Sequence, residues 1–175
     1  MQTSAYASRI RLDTISVDDQ AFYISLYTDA DVMRYIRPVC SADEALELFH
    51  ERSTSWQYGD AGWLGFTLKL VATGQRLGTI GLKVIDYQAK IAEVGFILHP
   101  DAQGCGYNAE ALLQLKGYAI DKLKLQQWVA CCAKDNADSA KVLQRSGFIE
   151  VHHINNNLSS NAEQLDDRHF KLLLQ

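Results

Sequence analysis

The chain has 175 residues, of which 47% are hydrophobic and 22% are charged, a composition typical of a globular protein with a hydrophobic core. Lys and Arg total 17 against 21 Asp and Glu, and the net charge of −4 without a basic run argues against non-specific nucleic-acid binding. No stretch reaches the ~20 apolar residues of a membrane-spanning helix, and the N-terminus lacks the apolar core of a signal peptide. We therefore expect one cytoplasmic domain, residues 1–175, without a membrane or nucleic-acid partner.

The first third of the chain has the pattern of one strand followed by helices. Pro38 should stop one helical segment, because proline disfavours helix both at its own position and at the residue before it. Ser41 and Glu44 have the spacing of a capping box, which predicts that another helix begins there. The predicted elements are a strand at 9–13 and helices at 16–27, 29–37 and 41–58.

The middle of the chain predicts an antiparallel meander. Three apolar segments at 63–71, 77–86 and 91–98 are separated by short polar connections that suit hairpins. A helix at 106–123 and a strand at 128–133 follow, and this strand–helix–strand order implies parallel pairing of the third meander strand with the next strand. The remaining predicted elements are a helix at 137–146 and strands at 148–154 and 168–174, which makes a mixed α/β fold.

Two glycines stand between the third meander strand and the helix that follows it. The first backbone N–H groups of a helix lack helical partners, and glycines such as Gly104 and Gly106 let a phosphate approach them closely. The loop lacks the G-K-[ST] of a Walker A loop, and the dinucleotide-binding pattern fails because residue 109 is Ala. A diphosphate site and an ordinary tight loop both remain open from these residues alone.

The loop and a later segment together resemble a known superfamily. Gln103, Gly106 and Asn108 follow the pattern Q-x-x-G-x-small, and NADSAKVLQRSGF begins at Asn136 after the expected intervening strand. This combination resembles the Gcn5-related N-acetyltransferase (GNAT) superfamily, and within it the RimJ/RimL-type ribosomal-protein N-terminal acetyltransferases, over nearly the whole chain. The resemblance implies a curved, mostly antiparallel sheet with a splayed parallel pair at its centre and helices on both faces.

The resemblance also implies acetyl-CoA as the cosubstrate, with its pantetheine arm in the gap between the splayed strands. Backbone N–H groups near Phe96, Ile97 and Leu98 would then hold the thioester carbonyl, and Asn136 would hydrogen-bond to the pantetheine. The diphosphate would lie over a loop of six residues, namely Gln103, Gly104, Cys105, Gly106, Tyr107 and Asn108.

The chain departs from the family pattern at three positions. The family often has a basic residue where this chain has Cys105, and usually Gly or Ala where it has Asn108. Many members carry a proton-donating Tyr at the position of Leu143, and the resemblance instead implies that Ser139 protonates the leaving thiolate. Asn136 also suits an N-cap, and Ser139 also suits an exposed helix hydroxyl, so both alternatives stay open.

Glu93 is the candidate acceptor for the amine proton. It alternates with Ile91, Gly95 and Ile97 along one face of a predicted strand, which puts a carboxylate in an otherwise apolar row. A carboxylate of this kind can serve as a general base. The alternative is a solvated or salt-bridged glutamate at the margin of the sheet.

The four cysteines and five histidines show no metal-ligand spacing, so we expect no metal and reduced thiols. Adjacent Cys131 and Cys132 should point to opposite faces of their strand, and we interpret both, together with Cys105, as small core residues.

These observations predict an N-acetyltransferase that moves acetyl from acetyl-CoA to a primary amine, by direct attack on the thioester. We favour the N-terminal α-amine of a ribosomal or other protein or peptide as acceptor. The alternatives are a small amine, such as a polyamine, amino acid or aminoglycoside, and a catalytically idle CoA-binding module; a homodimer is left open. The segments 29–37 and 155–167 should wall the acceptor cleft, and their acidic residues would favour a cationic acceptor.

Overall fold

The computed structural model describes residues 8–151 and 167–175, and this part of the chain forms a seven-stranded sheet with helices. The strands are β1 (Ile10–Thr14), β2 (Leu64–Leu70), β3 (Arg76–Asp86), β4 (Ile91–Leu98), β5 (Gln127–Ala133), β6 (Ile149–Val151) and β7 (Asp167–Leu173). The α-helices are α1 (Gln20–Tyr27), α2 (Ala30–Met33), α3 (Ala42–Ser53), α4 (Tyr107–Asp121) and α5 (Ala137–Arg145).

The sheet has the strand order β1-β2-β3-β4-β5-β7-β6. Strands β1 to β4 pair antiparallel as a meander, and β5 also pairs antiparallel with β7. Strands β4 and β5 pair in parallel, as the strand–helix–strand order predicted, but only at Ile91↔Gln127, Ala92↔Trp128 and Glu93↔Val129. Residues 94–98 of β4 have no β5 partner, so the two strands separate beyond Glu93.

Two hydrophobic clusters cover different faces of β4. Ala92, Val94 and Leu98 belong to the larger cluster, which includes the buried residues of α4. Ile97 belongs to a second cluster with Tyr23 and other residues of α1, α2 and α3. Because side chains alternate along a strand, Glu93 lies on the same face as Ile97 and therefore on the side of α1–α3.

A buried carboxylate fixes the beginning of α1 to the sheet. Asp19 is 1% exposed, and its carboxylate accepts hydrogen bonds from Arg76 Nε at 2.6 Å and from Thr67 Oγ1 at 3.0 Å, with Lys69 Nζ 3.1 Å away. Burial alone would raise the pKa of Asp19, but the hydrogen bonds from Arg76, the Ser16 backbone, Lys69 and Thr67 lower it to about 2. This ionised group therefore stabilises the position of α1 at neutral pH.

The predicted helix at 41–58 begins as expected but ends earlier. Ser41 and Glu44 form the predicted capping box, with Ser41 N donating to Glu44 Oε2 at 2.7 Å. The helix ends at Ser53, where Thr54 is extended and its hydroxyl donates to the His50 carbonyl at 2.8 Å. The apolar spacing wrongly predicted that the helix continues to residue 58, because Trp56 packs against the larger core from the loop that follows the helix.

The predicted helix at 29–37 is also shorter, because only Ala30–Met33 is helical and turns lead from there to Pro38. The predicted strand at 148–154 is Ile149–Val151, and residues 152–154 lie outside the described residues. Within residues 8–151 and 167–175, no helix has both the length and the apolar character that crossing a membrane requires.

Candidate active site

The separation of β4 from β5 opens a cleft of ≈ 800 Å³. One wall comes from β4 between Glu93 and Ile97, and the opposite wall comes from β5 and the first turns of α5. Residues of α1 and α3 and the loop before β2 close a third side. The structure thus brings five of the predicted site residues to one cleft, namely Glu93, Phe96, Ile97, Asn136 and Ser139.

Glu93 is buried at the point where the strands separate. It is 4% exposed and is the last residue of β4 that pairs with β5, so it does not lie at a solvated margin of the sheet. Cys131 of β5 lies on the opposite wall, and its thiol donates to Glu93 Oε1 across 3.9 Å. Burial, followed by the charge of Glu93, raises the pKa of Cys131 to about 12, so this thiol stays protonated at neutral pH.

The beginning of α5 faces Glu93 across the cleft. Asn136 is the N-cap, and its Oδ1 accepts a hydrogen bond from the Ser139 N–H at 3.0 Å, which confirms the predicted cap. Both side chains are half-buried and line the cleft. Leu143 follows one turn later at 1% exposed, so an apolar side chain stands where the resemblance puts a tyrosine.

The glycine loop lies beyond the end of this cleft and leads into α4. Gly104 and Gly106 have φ values of 73° and 81°, in the left-handed region that glycine adopts without strain. Gly106 is the N-cap of α4 and supplies no side-chain cap, so the first N–H groups of the helix stay available to a ligand. A Cβ on Gly104 would meet nothing within 4 Å, so the loop presents an accessible backbone surface.

An arginine from the beginning of β1 holds this loop in place. Arg9 Nη2 donates to the Cys105 carbonyl at 2.9 Å, and Arg9 Nε donates to Glu110 Oε1 at 2.6 Å. The guanidinium also lies over the Tyr107 ring, 4.8 Å from its centroid. Arg9 brings a cation beside the loop in which Cys105 replaces the family's basic residue. No local sequence pattern could have identified a partner 96 residues away.

One residue of the loop, Cys105, differs from its interpretation as a core residue. Cys105 is exposed rather than a core residue, because the left-handed turns at Gly104 and Gly106 carry it to the surface. Gln103 Nε2 donates to the Leu98 carbonyl at 3.3 Å, so this amide ties the loop back to β4. Asn108 is half-buried, and its Oδ1 has no hydrogen-bond partner within the described structure.

The two cysteines of β5 point to opposite faces of the strand, as alternation predicts. Cys132 is buried in the larger core, whereas Cys131 is only half-buried and faces Glu93. The core interpretation is therefore confirmed for Cys132 and wrong for Cys131.

The α1–α3 side of the cleft is aromatic and carries arginines. Tyr23 and Tyr27 stack with ring centroids 4.6 Å apart, and burial raises the pKa of Tyr23. Arg52 of α3 lies over the Trp63 ring, 4.5 Å from its centroid. Trp63 in turn packs beside Gly95, where an added Cβ would come within 3.3 Å of Trp63 Cη2.

The expected acidic wall from residues 29–37 is not found. The Asp29 side chain caps α2 by accepting from Asp31 N and Val32 N, and the cleft-lining residues of this segment are Tyr35, Ile36 and Arg37. The loop at 155–166 lies outside the described residues, and Asp167, which follows it, lines the cleft.

Residues 9–149 match the acetyltransferase (GNAT) domain family, and the chain therefore belongs to this family. It is 26% identical over 145 residues to "Uncharacterized N-acetyltransferase p20" of Bacillus licheniformis, covering 82% of this chain and 80% of that protein. It is 30% identical over 117 residues to "Putative ribosomal N-acetyltransferase YdaF" of Bacillus subtilis (strain 168), covering 67% of this chain and 63% of that protein.

Solved structures share the fold. Spermidine N-acetyltransferase from Vibrio cholerae, in complex with CoA and spermine, superposes with a TM-score of 0.76 at 22% identity, over 95% of this chain and 96% of that chain. A GNAT-family acetyltransferase from Bacillus anthracis superposes with a TM-score of 0.77 at 20% identity, over 96% of each chain.

The chain is therefore an acetyl-CoA-dependent N-acetyltransferase with the mixed α/β GNAT fold. The open helix start at Gly106 and the cleft between β4 and β5 fit acetyl-CoA as cosubstrate. Among the residues that the structure describes, no group of three or more His, Cys, Asp or Glu side chains could hold a metal ion.

Proposed function

We propose that the acceptor is the α-amine of a peptide or protein N-terminus and that this amine attacks the thioester of acetyl-CoA directly. The observation that carries the proposal is the buried Glu93 carboxylate at the separation of β4 and β5, in one cleft with Asn136 and Ser139. Acetyl transfer to an amine needs groups that hold the carbonyl, accept the amine proton and protonate the leaving thiolate.

The thioester carbonyl is held by β4 in this proposal. Residues 94–98 carry backbone groups without a β5 partner, and Phe96, Ile97 and Leu98 lie in this stretch. The diphosphate lies on the first N–H groups of α4, where the helix dipole favours a negative charge. The Asn136 side-chain N–H₂ donates to the pantetheine, because its oxygen already accepts the Ser139 N–H.

Glu93 removes the proton from the acceptor amine, directly or through one water. An α-amine, with a pKa of about 8, is roughly one-tenth neutral at pH 7, whereas under about one lysine amine in a thousand is neutral. An α-amine therefore needs less help from a base, and a single buried carboxylate suffices.

Ser139 protonates the thiolate of CoA as it leaves. Its hydroxyl lies in the first turn of α5, where the positive end of the helix dipole also stabilises a developing negative charge. Leu143, one turn later, has no proton to donate, which leaves Ser139 as the hydroxyl of this helix face that lines the cleft among the described residues.

The second candidate function is acetylation of a small amine. The aromatic lining of the cleft favours it, and the structural neighbour from Vibrio cholerae is a spermidine N-acetyltransferase. The relative at 30% identity, in contrast, bears the name of a ribosomal N-acetyltransferase.

The two functions are distinguished by measuring CoA thiol release with three acceptors. These are a peptide with a free α-amine, the same peptide with its α-amine blocked and one lysine free, and spermidine. We expect the free α-amine to be used best. Exclusive use of the blocked peptide or of spermidine would overturn the proposal.

The Glu93→Gln variant tests the role of the carboxylate. We expect it to retain activity on the α-amine that rises with pH, because the amine then deprotonates without a base, and to lose nearly all activity on the lysine peptide. Glu47→Gln, which changes an exposed glutamate of α3, is the matched control and should keep the wild-type pH profile. A pH profile for Glu93→Gln that equals the wild type would remove Glu93 from the mechanism.

A further inference from the structure

The α1–α3 side of the cleft contains a cation that the acetyl transfer itself does not use. Arg52 lines the cleft and is half-buried, and its guanidinium lies on the face of Trp63 at 4.5 Å. Among residues 8–151 and 167–175, no carboxylate lies within salt-bridge distance of Arg52. The ring orients the guanidinium without neutralising its charge.

A continuous set of contacts links Arg52 to the proposed reaction centre. Trp63 carries Arg52 on its face, and its ring lies against the Gly95 position of β4. Gly95 follows Glu93 by two residues on the same face of the strand, about 7 Å further along. A Cβ at residue 95 would come within 3.3 Å of the indole, so the glycine leaves room for Trp63 beside the strand.

Groups of both charges line this cleft. The described residues that line it include two arginines, Arg37 and Arg52, and two carboxylates, Glu93 and Asp167. An acceptor that carries both an amine and a carboxylate would find a partner of opposite charge for each group. An arginine on an aromatic face is suited to a planar carboxylate, which it can bind through two parallel hydrogen bonds.

We propose that the acceptor carries a carboxylate close to its α-amine and that Arg52, held on Trp63, binds this carboxylate. The inference rests on the proposed transfer of acetyl to an α-amine and names the acceptor class for that same site. The carboxylate comes either from a free amino acid, which bears it beside the amine, or from an acidic first residue of a peptide. Arg52 is in both cases a specificity-determining residue that orients the amine towards Glu93.

The test uses acceptor pairs in which an amide replaces the carboxylate, and it compares rates per neutral amine because amidation lowers the pKa of the adjacent α-amine. The first pair is phenylalanine and phenylalaninamide, and the second is two peptides that begin with Asp or with Asn and are otherwise identical with amidated C-termini. We expect the acid of at least one pair to exceed its amide in kcat/KM by roughly tenfold to a hundredfold, the usual worth of a charge-assisted hydrogen-bonded pair. The pair that shows the preference identifies the source of the carboxylate.

Variants then assign the preference to Arg52. In Arg52→Gln the ratio of acid to amide should fall to near one through a higher KM for the acid, and Arg52→Lys should restore part of it. Arg145→Gln, which removes an exposed cation at the end of α5 outside the cleft, should keep the wild-type ratio. Thermal melting of each variant checks that it is folded.

Two outcomes overturn the inference. One is equal or better use of the amides, or of spermidine, by the wild-type enzyme. The other is a preference for the acid that persists in folded Arg52→Gln. The proposed function has its own test, because it fails if no peptide α-amine supports release of CoA.

Discussion

Helices α4 and α5 follow β4 and β5, the two strands whose separation opens the cleft, yet they begin in opposite ways. Helix α4 begins at Gly106, which has no side chain and leaves the first N–H groups uncapped. Helix α5 begins at Asn136, whose side chain caps the Ser139 N–H, and α2 and α3 are likewise capped by Asp29 and Ser41. The uncapped N–H groups at the start of α4 support the proposal that the diphosphate binds there, whereas the start of α5 presents side chains to the cleft.

The largest effect on acetyl-CoA binding should come from a side chain at Gly106, the uncapped start of α4. Gly106→Val puts a β-branched residue at φ 81°, in a conformation that costs about 1–2 kcal/mol for a residue with a Cβ, and places a side chain where the diphosphate must approach. We expect the affinity for acetyl-CoA, measured by calorimetry, to fall roughly a hundredfold, the loss of about two charge-assisted hydrogen bonds.

Gly117→Ala is the control within the same helix. A Cβ at Gly117 meets nothing within 4 Å, so this variant should keep its affinity and gain up to about 1 kcal/mol of stability. A folded Gly106→Val protein that binds acetyl-CoA as the wild type does would show that the diphosphate does not use α4.

The capped helix should contribute to chemistry more than to binding. Ser139→Ala should lower kcat at least about tenfold with little change in acetyl-CoA affinity, because proton transfer to the thiolate occurs only in the transition state. Steady-state kinetics and calorimetry on the same preparation separate the two effects. An unchanged kcat would assign the proton to water.

Cysteine labelling compares the two regions without any substitution. Cys105 is exposed on the glycine loop, whereas Cys131 faces the cleft with its pKa raised to about 12 by burial and then by the charge of Glu93. A thiol reacts as its thiolate, so a maleimide near pH 7 should label Cys105 and leave Cys131 unmodified.

Bound acetyl-CoA should then slow the labelling of Cys105 several-fold, as measured by intact mass over time, because the diphosphate covers the loop. Acetyl-CoA that leaves the rate unchanged would place the diphosphate elsewhere. Labelling of Cys131 at a rate comparable to that of Cys105 would contradict the protonated thiol.

The smallest expected effect concerns Asn136, which caps α5 and, in the proposal, also donates to the pantetheine. Asn136→Ala removes the cap and should lower the free energy of unfolding by about 1 kcal/mol. Asn136→Asp keeps an oxygen for the Ser139 N–H but removes the N–H₂ donor, so it should retain stability and still lose a few-fold in acetyl-CoA affinity. Equal affinity in Asn136→Asp and the wild type would make Asn136 a cap alone.

Much of the fold could be predicted because its determinants are local. Apolar segments between short polar connections predicted β2 to β4, the spacing of Ser41 and Glu44 predicted the start of α3, and element order predicted the parallel pairing of β4 with β5. Glu93 was recognisable because a carboxylate interrupts an apolar row. The prediction failed where a tertiary contact imitated a local pattern, as when Trp56 packed on the core from a loop.

The sequence by itself determined the element order, the glycines before α4, the polar side chains at the start of α5 and the family resemblance, since each depends on residues close together in the chain. Only the tertiary structure decided that Arg9 holds the glycine loop and that Arg52 rests on Trp63 beside Gly95. Such contacts join residues from separate elements, and charge pairing and ring stacking leave no periodic trace in the sequence. The physical character of the acceptor side, aromatic and carrying arginines where acidic residues were expected, was therefore decided by packing.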